Sequence, residues 1–123
     1  RRPERPQKLG FWDYVFSADA TQPVPVMEKI AELTNGEMCD ITINNVNITD
    51  TEMTSILCTK NDGLVYFFSM ATSFTKAALG AEGVGSDVTM IVGNGYTKGH
   101  AEITLQELRE SEALRKIFTE LYA

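Results

Sequence analysis

The segment from residue 62 to residue 80 reads DGLVYFFSMATSFTKAALG and joins a strongly apolar stretch to a short helical one. Residues 64–70 are apolar on both faces of an extended strand, which is typical of a strand that is covered on both sides or buried in a subunit contact. Residues 72–80 then predict a short helix, because the hydroxyls of Thr72 and Ser73 are suited to cap its first turn. We therefore expect a buried strand that leads directly into a helix.

Several segments around this centre alternate with a period of two, which indicates strands. They are residues 38–45, 52–59, 87–93 and 96–105. Asn, Asp and Gly at residues 61–63 and 94–95 predict tight hairpin turns, since these residue types tolerate positive φ. Helical periodicity predicts a first helix at residues 24–35 and a last helix at residues 106–122, with Ser111 as a point of division.

The resulting order is α-β-β-β-α-β-β-α with antiparallel neighbours. It predicts a mainly β fold with flanking helices, namely a small antiparallel barrel, closed or split. Gly80, Gly83 and Gly85 precede a strand instead of opening a helix after one, so we interpret them as a flexible connector and not as a dinucleotide loop. All four prolines lie in the first 25 residues. Residues 1–25 are therefore expected to form a basic leader with little structure, and residues 26–123 the barrel domain.

Composition excludes several classes of function. The 123 residues include 11 basic and 17 acidic side chains, for a net charge of −6, which argues against nucleic-acid binding. No apolar run approaches the roughly 20 residues of a membrane span, and no apolar stretch follows the arginines at the start, so we expect a cytoplasmic protein without a secretory signal. Cys39, Cys58 and His100 are too far apart in sequence for a metal site, and the cysteines are expected to be buried free thiols.

The polar cluster that most clearly indicates a binding site lies at the junction between the central strand and its helix. It is formed by Ser69, Thr72, Ser73 and Lys76. Hydroxyls, free backbone N–H groups and a lysine at a helix N-terminus suit a phosphate group. The local residues alone favour ordinary capping by Thr72 or Ser73 with Lys76 in solvent, because capping needs only one hydroxyl. From the residues alone, both interpretations stay open.

Residues 62–69, followed by Thr72-Ser73 and then Lys76, resemble the strand–turn–helix motif of pyridoxamine 5′-phosphate oxidase-like proteins, in particular the small general stress protein type. The resemblance extends over about residues 26–122. It implies an antiparallel split β-barrel that forms a homodimer and binds a flavin between its subunits. FMN is the cofactor implied, with FAD or no cofactor as alternatives.

The resemblance also implies roles for particular residues. Ser69, Thr72, Ser73 and Lys76 would hold the flavin phosphate, and the ring would lie along the second strand near Met53, Thr54 and Ser55. Many relatives have an Arg-Pro pair on that strand, where this sequence has Glu52-Met53, and a carboxylate there repels a phosphate. Two hypotheses follow: a flavin-dependent oxidoreductase that acts on a small molecule, or a cofactor-free dimeric barrel that serves as a binding or regulatory module.

Overall fold

The structure is a computed structural model that describes residues 9–93, 95 and 97–123. The chain divides into two units, Ala18–Asn94 on the one hand and Arg1–Ser17 with Gly95–Ala123 on the other. The elements, in chain order, are α1 (Pro23–Leu33), β1 (Cys39–Asn44), α2 (Glu52–Leu57), β2 (Thr59–Phe67), α3 (Phe74–Gly83), β3 (Thr89–Val92), α4 (His100–Glu110) and α5 (Glu112–Tyr122).

The three strands of the unit Ala18–Asn94 form one sheet in the order β1-β2-β3, and both pairings are parallel. Helix α2 connects β1 to β2, and α3 connects β2 to β3. The unit is therefore a βαβαβ arrangement, in which a helix lies between each pair of strands, as parallel pairing requires. The expected antiparallel split β-barrel is wrong: in the part of the chain that the structure describes, the sheet is open and parallel.

The error in fold class begins with the segment between β1 and β2. Residues 52–59 were expected to form a strand, but Glu52–Leu57 is a helix. Because a strand here would permit short antiparallel connections whereas a helix permits a parallel crossover, this one assignment changes the topology of the sheet. Residues 96–105 were also expected to be a strand, and within the residues described there α4 begins at His100.

The expected hairpin at residues 61–63 is wrong as well, because these residues lie inside β2. Between the register pairs Cys39–Thr59 and Ile41–Leu64, β1 advances two residues while β2 advances five. The additional residues form a bulge, and Asp62 adopts a positive φ of 62° within it. The Asn-Asp-Gly sequence thus makes a local irregularity instead of reversing the chain. The second expected hairpin, at residues 94–95, lies partly outside the described residues.

One face of the sheet is covered by α2 and α3. Val65 and Phe67 of β2 point to this face and are fully buried. They pack with apolar side chains of the two helices, and the core cluster comprises Ile56, Val65, Phe67, Ala77 and Ala81. Gly80 and Gly83, which were expected to be part of a flexible connector, lie in α3, so that expectation is wrong. A Cβ at Gly80 would lie 2.4 Å from Sδ of Met53, so glycine permits close contact of α2 and α3.

Helix α1 confirms the expected first helix. A proline stands in its first turn, where the missing N–H is not needed for helical hydrogen bonding. The hydroxyl of Thr34 donates to the carbonyl of Ile30 at the other end, and Gly36 follows with a φ of 83°.

In the other unit, α4 and α5 are separated at Ser111, whose extended backbone ends one helix and begins the next. Its hydroxyl accepts a hydrogen bond from the backbone N–H of Leu114 at 3.1 Å. The expected division of the last helix at this residue is confirmed. The helical segment begins earlier than expected, at His100 instead of residue 106.

Candidate functional site

The carboxyl ends of the three strands define the candidate site. In a parallel sheet these ends meet at one edge, and the loops that follow them are where ligands bind in open α/β sheets. Residues 45–51 follow β1, residues 68–73 follow β2, and Gly93 follows β3. The loops begin at the same level, because the N–H of Phe68 donates to the carbonyl of Asn44 at 3.0 Å and the N–H of Gly93 donates to that of Phe67 at 3.1 Å.

Asn44 is the last residue of β1, and its side chain is buried. Its Nδ2 donates to Thr51 Oγ1 and to Ser55 Oγ, each at 2.9 Å, and its Oδ1 accepts from the N–H of Val46 at 2.9 Å. The amide therefore joins the end of β1 to the first turn of α2 and fixes the start of the intervening loop. Since each of its polar atoms has a partner, burial leaves no donor or acceptor unsatisfied.

Glu52 is the second buried polar residue at this edge, with only 3% of its surface exposed. Its Oε1 accepts a hydrogen bond of 2.7 Å from the backbone N–H of Ser73, at the N-terminus of α3. Ser73 caps the same helix, because its hydroxyl accepts from the N–H of Lys76 at 3.3 Å. A carboxylate is favourable next to the positive end of a helix, so Glu52 takes a position that an anionic ligand would otherwise use.

Lys76 forms an ion pair with Asp50 in the loop after β1. The hydrogen bond from Lys76 and its positive charge lower the pKa of Asp50, while the same partner raises the pKa of Lys76. Both side chains are more than half exposed. The charge of Lys76 is thus balanced within the chain, and the pair links the loop after β1 to the first turn of α3.

The structure separates the predicted site residues into two groups. Ser69, Thr72, Ser73 and Lys76 lie together, between the end of β2 and the first turn of α3. Met53, Thr54 and Ser55 lie on α2, and not on a strand beside them. Thr54 donates to the carbonyl of Ala20 at 2.7 Å, and Ser55 contacts Asn44. The strand along which a flavin ring was expected to lie is therefore absent from these residues.

No sequence pattern indicates the roles of Asn44 and Asp50, and Glu52 differs only from a motif of the resembled family. A usable signal exists for Asn44, because a polar side chain that ends an apolar strand and precedes a loop commonly lies at the ligand edge of a parallel sheet. That signal depends on parallel pairing, which the misassigned α2 concealed.

A groove of about 310 Å³ runs beside β1. Four consecutive residues of β1, numbered 41–44, line it together with Val26 and Ile30 of α1. Consecutive strand residues point to opposite faces, so a groove that touches all four follows the edge of the strand instead of one face. Its walls are largely apolar.

Cys39 and Cys58 stand at the margin of this groove, and both are free thiols. The N–H of Cys39 donates to the carbonyl of Cys58 at 2.9 Å. Burial, together with the nearby Cys39, raises the pKa of Cys58 to about 11, and burial also raises the pKa of Cys39. Both thiols are protonated at neutral pH, which makes them poor nucleophiles.

The described residues contain neither a candidate metal site nor a membrane-spanning helix. Residues 9–93, 95 and 97–123 contain no group of three or more His, Cys, Asp or Glu side chains that could hold a metal ion. Within the same ranges, no helix has the length and apolar character needed to cross a membrane.

Comparisons with known proteins point to one enzyme name. Over 115 residues the chain is 63% identical to an L-erythro-3,5-diaminohexanoate dehydrogenase of Acetoanaerobium sticklandii, covering 94% of this chain and 33% of the relative. It is 60% identical over 108 residues to the Fusobacterium nucleatum protein of the same name, covering 88% of this chain and 31% of that relative. The chain thus spans about a third of the length of the curated relatives that it matches. No family model matches the chain.

Proposed function

We propose that this chain forms part of a dehydrogenase that oxidises a diamino acid such as L-erythro-3,5-diaminohexanoate, with a nicotinamide dinucleotide as the redox cofactor. The observation that carries the proposal is the high identity to two proteins with this dehydrogenase name, which extends over nearly the whole chain. Dehydrogenases are oxidoreductases, so the proposed class agrees with the oxidoreductase expected from the sequence.

The topology supports a dinucleotide as the cofactor. Doubly wound sheets that bind dinucleotides are assembled from two βαβαβ halves, and the ligand lies across the carboxyl ends of the strands. The unit Ala18–Asn94 has the βαβαβ order of one such half. The matched region is about a third of each relative, which is long enough for one βαβαβ half of such a sheet together with additional helices.

The residues at the edge fit a dinucleotide in part. Asn44 fixes the loop after β1, and residues 68–73 bring hydroxyl and backbone groups to the same edge. A phosphate would need the N–H of Ser73 and the ammonium of Lys76 as partners. Glu52 already binds the first of these groups, and Asp50 binds the second. We therefore assign this half to the non-phosphate portion of the cofactor. The phosphate loop would come from the remaining two thirds of the dehydrogenase.

FMN is less well supported than it was from the sequence. The resemblance implied a split barrel with a strand at residues 52–59, and the structure has a parallel sheet with a helix there. The four residues expected to hold the phosphate remain clustered, so FMN is retained as a competing ligand in the test below. A cofactor-free binding module is the outcome expected if neither ligand binds.

A nicotinamide dinucleotide, when bound, would supply the redox chemistry by which an amine-bearing carbon of the substrate is oxidised. The contribution of this chain is to position the groups around that carbon. Asn44 holds the loop after β1, and the ion pair of Asp50 with Lys76 holds that loop to the first turn of α3. The net charge of −6 also favours the approach of a substrate with two ammonium groups.

A chimaera tests the proposal directly. The 115 matched residues of the A. sticklandii relative are replaced by this chain, and reduction of NAD⁺ and of NADP⁺ is followed at 340 nm with L-erythro-3,5-diaminohexanoate as substrate. We expect an active enzyme. A folded chimaera that reduces neither dinucleotide, or one that instead purifies with bound FMN, would contradict the proposal.

Asn44 provides the matched variants. Asn44→Ala removes the amide that joins β1 to α2, so we expect at least a tenfold loss of kcat/KM in the chimaera, equivalent to about 1.4 kcal/mol. The exposed neighbour supplies the control, since Asn45→Ala removes an amide of the same kind and should leave kcat/KM within about twofold. Equal effects of the two variants would show that the Asn44 amide has no special role.

A further inference from the structure

The carboxylate of Glu52 has one oxygen that the fold itself does not use. The side chain is buried, and its Oε1 accepts from the N–H of Ser73 at 2.7 Å. Among the described residues, Oε2 accepts no hydrogen bond, and no fully buried side-chain oxygen of those residues lacks a partner. Oε2 therefore reaches the surface of the chain, while nearly all of the remaining side chain is enclosed.

The accessible oxygen lies at the carboxyl edge of the sheet. Glu52 is the first residue of α2 and directly follows the loop after β1. Its partner Ser73 stands at the N-terminus of α3, at the end of the loop after β2. Ligands of open α/β sheets bind between such loops. Oε2 of Glu52 is thus in the region where a substrate of the dehydrogenase would bind.

The charges around Glu52 do not balance. Lys76 forms its ion pair with Asp50. The pKa of Lys76 is raised mainly by Asp50 and to a smaller extent by the charge of Glu52, so the second carboxylate is close enough to act on the same ammonium. Two carboxylates therefore share one cation, and in the described part of the chain Glu52 has no counter-ion of its own. A cation that also donates N–H groups stabilises a largely buried carboxylate.

We propose that Oε2 of Glu52 binds an ammonium group of the diamino acid substrate and so selects a substrate with two amines. The inference rests on the proposed function for the identity of the substrate. An ammonium group has one positive charge and N–H donors, and it therefore supplies both the counter-ion and the hydrogen bond that Glu52 lacks. A phosphate or a carboxylate group of a ligand would be repelled at this position by two negative charges.

The chemistry of amine oxidation decides which of the two amines Glu52 binds. Oxidation of an amine-bearing carbon to an imine uses the lone pair of its nitrogen, and an ammonium has no lone pair. A carboxylate favours the protonated form of an amine beside it. Contact with Glu52 would thus oppose oxidation of the contacted amine. Glu52 therefore binds the amine that is not oxidised and leaves the other one free to react.

Kinetics of the chimaera with the A. sticklandii relative test this assignment. Glu52→Gln keeps an oxygen for the N–H of Ser73 and removes the charge. We expect KM for L-erythro-3,5-diaminohexanoate to rise about tenfold or more, because a hydrogen bond to a charged group is lost, with kcat within about threefold. Glu82→Gln is the matched control on an exposed residue near the other end of α3, and it should leave KM within about twofold. Equal changes of KM in the two variants would overturn the proposal.

Ligands with a single amine test the contact without turnover. The dissociation constants of L-erythro-3,5-diaminohexanoate, 3-aminohexanoate and 5-aminohexanoate are measured by calorimetry, with and without the reduced dinucleotide. We expect Glu52→Gln to weaken binding of the diamino acid and of one monoamino acid by about tenfold, and that of the other monoamino acid by less than about twofold. The sensitive monoamino acid should be the one that retains the amine that is not oxidised. Equal effects on both monoamino acids would overturn the proposal.

The parent chimaera supplies a measurement that does not depend on folding of the variant. It should bind the diamino acid about tenfold more tightly than the monoamino acid that lacks the amine at Glu52. Equal affinity for the diamino acid and for both monoamino acids would overturn the proposal, whatever the stability of Glu52→Gln.

The inference and the proposed function fail in different ways. An inactive chimaera that binds the diamino acid in a manner dependent on Glu52 retains the ammonium site and overturns the dehydrogenase. An active chimaera in which Glu52→Gln leaves KM unchanged retains the dehydrogenase and overturns the ammonium site.

Discussion

Gly63 is the residue on which the bulge of β2 depends. A Cβ placed there would lie 2.6 Å from Cγ2 of Thr59, 2.8 Å from the carbonyl oxygen of Lys60 and 3.0 Å from that of Asp40. Two of these three neighbours are backbone atoms, which move only if the strands move. Glycine is therefore required at this position by close approach, and not by a positive φ of its own.

We accordingly expect Gly63→Ala to lower the free energy of unfolding by about 1–3 kcal/mol, the usual range for overpacking. Gly83→Ala is the matched control, because it adds the same methyl group where no atom lies within 4 Å. The control should change the stability by less than about 1 kcal/mol, in the stabilising direction within a helix. Urea unfolding followed by circular dichroism measures both, and a neutral Gly63→Ala would contradict the geometry of the bulge.

The ion pair of Asp50 with Lys76 predicts a dependence of stability on pH. The pKa of Asp50 is lowered in the folded chain, so its contribution is present above the ordinary value of about 3.9 and is lost as the pH falls through the folded value. The pKa of Lys76 is raised, so its contribution is present below about 10.4 and is lost as the pH rises through the folded value.

A double-mutant cycle with Asp50→Asn and Lys76→Met measures this coupling through melting temperatures. We expect a small coupling at pH 7, since both side chains are exposed, and none at pH 2. High salt should reduce the coupling at pH 7 because ions screen exposed charges. A coupling that persists at pH 2 would show that the two residues interact by something other than charge.

At the scale of the element, adjacent residues at the end of β2 lie on opposite faces of the sheet and differ in burial. Phe67 is 1% exposed and lies in the core, whereas the next residue, Phe68, is 45% exposed and points to the opposite face. The two residues have the same side chain and adjacent positions, so they form a matched pair.

We expect Phe67→Ala to destabilise the chain by about 3–5 kcal/mol, because it removes a fully buried ring and leaves a cavity. Phe68→Ala should cost less than about 1.5 kcal/mol, most of it from lost contact with the ring of Tyr66, whose centroid is 6.0 Å away. Thermal unfolding of the two variants gives the comparison. Similar losses would mean that Phe68 is also covered in solution, for example in a dimer.

The sequence predicts most elements of the structure but not the way they connect. The first helix and the helix after Ser73 are present with small shifts in their ends, whereas the strand expected at residues 64–70 is Thr59–Phe67 and begins five residues earlier. Helix α2 was missed because it has six residues and is buried on several sides, so Thr54, Ser55 and Ile56 show no amphipathic pattern. Short segments of this kind fit a period of two as easily as one of 3.6.

The position of the polar cluster after β2 was predictable from the sequence, whereas its partners were not. Ser69, Thr72, Ser73 and Lys76 do lie together, since they are close in sequence at the start of one helix. Asp50 and Glu52 come from a different loop and helix, and only the parallel crossover brings them to that helix. Contacts between distant segments depend on topology, which an error in one element is enough to change.

At the scale of the whole molecule, the net charge and the exposed apolar side chains have opposite effects on solubility. The chain carries a net charge of −6, which favours solubility. Its edge strand nevertheless exposes Ile41 and Ile43. The homodimer expected from the sequence stays a prediction.

The parallel order of the sheet also has a consequence for how the chain reaches its native state. Thr42 pairs with Val65, and Val65 with Met90, so each pairing joins residues more than twenty positions apart. No two neighbouring strands can form a hairpin from a short turn. Closing each long loop therefore costs conformational entropy before any contact between the strands compensates for that cost. The slow step in refolding is therefore expected to be the parallel docking of the strands, during which an unpaired apolar strand is available to chaperones or to other nascent chains.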